Sequence, residues 1–124
     1  TLIPKLVSDG ALVATPAGST AYARAMGATP MPIGTKNLML VGNNVLQPSW
    51  KSAELDQSSV IQLSTADPTT VPKKRPLYGF VDGVEQGELV RMTVRTSRVA
   101  AVELVFLPDH DLRRKQTRIQ FPVN

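Results

Sequence analysis

DGALVATPAGSTAYARAMG, residues 9–27, decides how the rest of this chain is read. Residues 11–14 (ALVA) form a short apolar run suited to a buried strand, and Thr15-Pro16 ends it. Proline lacks the N–H that a sheet ladder needs, and it pushes the preceding residue towards extended backbone. Residues 17–26 (AGSTAYARAM) are rich in helix formers, and Gly27 is the kind of residue that closes a helix in the left-handed conformation. Gly18, Ser19 or Thr20 can supply the N-cap. The segment therefore reads as strand, tight turn and short helix. Such a turn points unpaired backbone N–H groups and the positive end of a helix at whatever docks there.

Beyond Gly27 the helical signal fades. Residues 28–36 (ATPMPIGTK) are a loop punctuated by proline and glycine. Residues 38–41 (LMLV) predict a buried strand, Asn43-Asn44 a turn, and residues 59–63 (SVIQL) another strand. Residues 67–76, with three prolines and three basic residues, form a connection. Residues 77–81 (LYGFV) lead into Asp82-Gly83, a hairpin-turn signal. Residues 88–96 alternate imperfectly at Leu89, Met92 and Val94, and residues 99–107 (VAAVELVFL) are the best late strand. Strands at hairpin spacing with one early helix predict a mainly β, antiparallel domain, a twisted β-sandwich with one short helix near the N-terminus, over residues 1–124. The tail, residues 109–124, is polar and basic apart from Ile119 and Phe121, two apolar residues placed to dock against a dimer partner or a second domain.

The bulk properties bound the function. At 124 residues, with 42% hydrophobic and 19% charged residues, the chain has the usage of an ordinary globular domain and not of a disordered one. No apolar run approaches the ~20 residues needed to span a bilayer, and the opening TLIPKLVSDG lacks the regions of a signal peptide, so the expected location is the cytoplasm. The absence of cysteine excludes disulfides, thiol nucleophiles and thiolate metal sites. A net charge of +4 invites an anionic partner. The cations gather at Lys73, Lys74 and Arg75 and at Arg113, Arg114, Lys115 and Arg118, which read as solvated surface. Aromatic residues are only 5% of the chain, little material for base stacking, and this argues against a nucleic-acid partner.

Common catalytic motifs fail. Six residues separate Gly27 from Gly34, and Thr35-Lys36 reverses the order a P-loop requires. There is no GxGxxG, and Ser19 is not in a GxSxG elbow. His110, the one histidine, lies between Asp109 and Asp111, but nothing nearby completes a metal site, and a surface turn is the simpler reading.

What remains is Asp9 to Tyr22, DGALVATPAGSTAY, which resembles the DGxxxxTPxGSTAY signature of the NAD kinase family, where it opens the second domain. The resemblance continues through YARAMGATPMPIGTKNLML, through KKRPLYGFVDG (residues 73–83) and into VELVFLPDHDLRRKQTRIQF (residues 102–121), and so covers nearly the whole chain. It implies the NAD-binding, oligomerising carboxy-terminal domain of an enzyme that phosphorylates the 2′-hydroxyl of the adenosine ribose of NAD to give NADP. The donor in that family is ATP or polyphosphate, used with a divalent metal such as Mg. The family's GGDG general base and its Asn-Glu pair belong to the preceding domain, and neither occurs here. The resemblance thus implies no catalytic residue and no metal ligand in this chain, inactivity of the isolated fragment, and a homo-oligomer, dimer or tetramer, completed by the amino-terminal catalytic domain.

By the same resemblance, Asp9 contacts the dinucleotide, and Thr20, Ala21 and Tyr22, extending through Ala23, Arg24 and Ala25, line its site; Asn44 falls where some members touch substrate. Three departures from the family pattern bear on affinity. Val7 stands where a basic residue is common, Ala28-Thr29 replaces Gly-Pro with added bulk, and Val84 takes the place of a substrate-contacting Gln. They leave open a non-catalytic nucleotide-binding or regulatory module of the same fold. A lipid or diacylglycerol-type kinase second domain shares the DG turn, but the GSTAY run argues against it. A basic nucleic-acid binder would show steeply salt-dependent affinity.

Overall fold

The computed structural model of the chain describes residues 3–66, 75–108 and 112–121. They fold into antiparallel sheets with short helices, so the mainly β class is as the sequence predicts and is consistent with a sandwich-like domain. The chain divides into two compact units, Thr1–Ser59 with Thr96–Asn124, and Val60–Arg95.

The first unit is built on three strands, β1 (Gly10–Ala14), β2 (Asn37–Asn43) and β3 (Ser52–Asp56), with β2 in the centre. In the register, Leu12 faces Val41 and Ala14 faces Met39. Period-two alternation puts these four side chains on one face, where cross-strand neighbours touch. The same face is closed by Ala23, Ala28 and Met31, which with Met39 and Val41 form the buried core, and Leu12, Ala14 and Met26 pack around its margin. Burying side chains the size of Met31, Met39 and Val41 stabilises the fold by about 2 kcal/mol each.

The expected helix over residues 17–26 is shorter than its composition suggests. A 3-10 turn (Gly18–Thr20) comes first, Ala21 leaves helical geometry at φ −97°, ψ −121°, and α1 occupies only Tyr22–Ala25. The physical reason lies in Ser19. Its hydroxyl does not cap a helix; it is buried, donates to the Pro16 carbonyl at 2.7 Å and accepts from the Met31 N–H at 2.8 Å. That bond ties the turn to the following loop, and the chain bends at Ala21 to make it. Four residues carry little macrodipole, so the expected positive helix end is weak. Gly27 does close α1 as predicted, at φ +91°, with its N–H donating to the Arg24 carbonyl at 2.9 Å.

The second unit contains β4 (Ile61–Ser64), β5 (Leu77–Val81), β6 (Val84–Leu89) and β7 (Arg91–Val94). β4 pairs with β7, and β5 with β6. Asp82 and Gly83, at φ 50° and 81°, make the predicted two-residue hairpin turn. A side chain at Gly79 would collide with Leu89 and Met92, so the bare backbone there is what lets β5 lie against them. Residues 88–96, read as one strand, are split at Val90 between β6 and β7.

Three further expectations change. Residues 99–107 form no strand; they are solvent-exposed throughout. A strand needs a neighbour's N–H and C=O groups, and among the described residues none is offered to this stretch. β3 was not marked by the sequence, nor was α2 (Leu112–Gln120), in which Ile119 is half-buried, with Phe121 exposed just beyond it. Asn43 belongs to β2, so only Asn44 turns. Arg75, Arg114, Lys115 and Arg118 are exposed as predicted, while Lys73, Lys74 and His110 lie outside the described residues.

Candidate functional site

β1 and β2 pair as far as Gly10 and Asn43, and the ladder resumes at the bridge between Val7 and Gln47. Between those points one strand has Ser8 and Asp9, the other Asn44, Val45 and Leu46. One extra residue on the second strand makes a bulge, a device that re-aims side chains. Asn44 takes it up with φ 49°, a left-handed conformation that asparagine tolerates better than most residues. The Asp9 N–H still donates to the Asn43 carbonyl at 2.9 Å, which fixes the backbone. The Asn44 side-chain Nδ2 then donates to Asp9 Oδ2 at 2.7 Å. Both side chains are exposed, and the carboxylate keeps its other oxygen for further donors.

The second part of the site is the turn after β1. Thr20 is half-buried, with its hydroxyl donating to the Ala17 carbonyl at 3.4 Å. Ala21 is exposed, and its N–H donates to the Gly18 carbonyl. Tyr22 is 79% exposed, a large aromatic left outside, whereas Ala23 beside it is wholly buried in the core. Arg24 and Ala25 are exposed. Of the residues proposed from the sequence, Asp9, Ala21, Tyr22, Arg24, Ala25 and Asn44 therefore offer open surface; Thr20 does so in part, and the Ala23 methyl faces inward.

The end of α1, at Gly27, rests against the Lys51 side chain, with which a methyl at Gly27 would collide. The Lys51 carbonyl accepts from the Gly42 N–H at 2.9 Å, one residue from the Gly10–Asn43 pair. The helix that starts beyond the far end of β1 thus ends beside the residue that leads into β3, on the side of β2 opposite β1. Lys51 was not singled out by the sequence, and nothing in the polar stretch around it marks a cation beside α1. In β2 a side chain at Gly42 would strike Val45 and the ring of Trp50, so glycine keeps that indole against the strand.

The departures read differently in three dimensions. Ala28 is buried and its methyl completes the core, so it adds no bulk to an open site. Val7 is half-buried and engaged by backbone hydrogen bonds with Leu46 and Gln47, which leaves no cation at that place beside Asp9. Val84 is exposed at the start of β6. Among the described residues, no group of three or more His, Cys, Asp or Glu side chains could hold a metal ion, and no helix is long and apolar enough to cross a membrane.

No family model matches the chain. Curated relatives do. It is 36% identical to an NAD kinase of Zymomonas mobilis over 121 residues, covering 97% of this chain and 45% of that protein. It is 35% identical to an NAD kinase of Xanthomonas oryzae over 124 residues, covering 99% of this chain and 46% of the relative. An NAD kinase of Xylella fastidiosa is 36% identical over 122 residues, with 98% and 46% covered. The chain spans about half the length of the curated relatives it matches, an overlap consistent with one carboxy-terminal domain.

Proposed function

We propose, from a chain homologous along almost its whole length to part of the NAD kinases, that this domain binds NAD for phosphorylation of the 2′-hydroxyl of its adenosine ribose. The observation that carries this reading is the exposure of Tyr22 next to a fully buried Ala23. An aromatic face with a polar tip, held on a short rigid helix, is suited to stack on a planar ring and hydrogen-bond at its edge. Ala21, small and exposed, lets that ring come close. Asp9 accepts hydrogen bonds from an amide or amino group of the dinucleotide, and Thr20, Arg24 and Ala25 border the same surface.

Phosphoryl transfer requires positioning, a base and stabilisation of charge on the transferred group. The described residues supply the first. They do not fit a divalent metal, and we assign the metal, the ATP or polyphosphate donor and the general base to the remainder of a longer protein. The isolated chain is then inactive. The apolar residues of the 99–107 stretch, together with Phe121, are the surface we assign to that remainder, an assignment supported by the half-length overlap with the relatives. Homo-oligomers and a cytoplasmic location belong to the same reading.

Calorimetric titration of NAD and NADP into the longest natural form of the protein, beside a kinase assay, tests it. NAD binds, NAD and not diacylglycerol is phosphorylated, and Tyr22→Ala weakens NAD roughly tenfold, a loss of about 1.4 kcal/mol. Unchanged affinity in Tyr22→Ala contradicts the proposal. Binding without phosphorylation selects the non-catalytic module, which the missing cation at Val7 favours.

A further inference from the structure

We infer that Asn44 is a positioning residue, which acts on the dinucleotide through Asp9 rather than by touching it. The inference rests on the reading of Asp9 as a dinucleotide contact. Three observations carry it. The first is the bond itself: Asn44 Nδ2 lies 2.7 Å from Asp9 Oδ2, a short, charge-assisted hydrogen bond between residues 35 apart in sequence. The second is the backbone that makes the bond possible. The extra residue opposite Ser8 and Asp9, with Asn44 at φ 49°, turns its amide across the strand pair instead of out of it. The third is the exposure of both side chains. A free carboxylate on the surface samples several rotamers, and water competes for both its oxygens. With one oxygen held by Asn44 and the Asp9 N–H held by the Asn43 carbonyl, the other oxygen presents one lone-pair direction to a ligand donor.

The physical consequence is preorganisation. The rotamer entropy that Asp9 would lose on binding is already lost in the free protein, so less affinity is spent on ordering it. Asn44 donates its amide to Asp9 and has no part in the reaction. Its carbonyl oxygen cannot substitute for the amide, since a carboxylate accepts and does not donate. Aspartate at this position would keep the backbone conformation but set a like charge against Asp9.

A double-mutant cycle separates the roles. Asn44→Gly preserves the left-handed backbone while removing only the amide, and Asn44→Ser provides a second variant. In the longest natural form of the protein, Asn44→Gly weakens NAD binding roughly five- to tenfold with the melting temperature close to wild type. In an Asp9→Ala background the same change alters affinity less than twofold. In parallel, the Asn44 side-chain amide resonances move on Asp9→Ala even without ligand. Equal losses in both backgrounds mean that Asn44 meets the dinucleotide itself, and no loss in either means that the hydrogen bond is idle; each overturns the inference while leaving the NAD reading intact. If Asp9→Ala alone leaves NAD affinity unchanged, the reading of Asp9 as a contact fails, and the positioning role falls with it.

Discussion

Residues 38–41 (LMLV) and 104–107 (LVFL) are almost interchangeable in composition, yet they meet opposite fates. The first is the middle of β2, with Val41 wholly buried; in the second, Val105 is 87% exposed and no strand forms. What separates them is the company each keeps. β2 has β1 on one side and β3 on the other to take up its N–H and C=O groups, and a helix and loop to cover its face. Residues 104–107 have hydrophobicity without a ladder. An apolar run declares that it will be covered; the rest of the chain decides by what.

The sharpest way to break this contrast is to cut both runs alike. Met39→Ala opens a cavity in the core and is expected to cost about 2–5 kcal/mol in urea unfolding of the 124-residue chain. Val105→Ala in the same chain stays within about 0.5 kcal/mol. If the longer protein covers the late stretch, Val105→Asp becomes destabilising there while remaining nearly neutral in the short chain. Equal behaviour in both lengths contradicts that covering.

Ser19 gives the next largest effect. Ser19→Ala removes the hydroxyl that accepts from the buried Met31 N–H at 2.8 Å and donates to the Pro16 carbonyl, and is expected to cost about 1–3 kcal/mol. A loss below a few tenths would mean that the turn after β1 is held by its apolar contacts alone.

The smallest effect is a pH dependence at Asp56, the last residue of β3. The Ser58 hydroxyl and then the Ser58 N–H, at 2.8 Å from Oδ1, hold the Asp56 carboxyl below its ordinary value. A carboxyl depressed in the folded state contributes stability that is complete above its unfolded pKa and is lost as pH falls through the folded one. Wild type therefore sheds a small increment as pH drops below about 4. Asp56→Asn lacks that step, which acid titration of the unfolding midpoint reads directly.

The sequence reveals those parts of the fold whose signal is local. β1 and β2 announce themselves as ALVA and LMLV, and Asp82-Gly83 specifies a turn that needs positive φ at both residues. β3 is hidden because it is an edge strand, with only Ala53 and Leu55 to turn inward between polar neighbours. α2 is hidden because LRRKQTRIQ has only two apolar residues, Leu112 and Ile119, too few for a helical period to stand out. At the site, the GSTAY run points to the right turn, but no local pattern shows that Ser19 serves the core, that the Ala23 methyl faces inward, or that Ala28 fills the interior rather than crowding a ligand. The bond between Asp9 and Asn44 is invisible to any window of sequence, because it depends on how a bulge registers two strands.

Hydrogen exchange of the longest natural form of the protein, with and without saturating NAD, reads the dinucleotide surface without altering it. Slower exchange is expected in peptides covering residues 7–27 and 43–51, where Asp9, Tyr22, Asn44 and Lys51 lie, with little change over residues 60–66 and 84–94. Protection confined to those later residues, or none over 7–27, contradicts a dinucleotide bound beside the turn that follows β1.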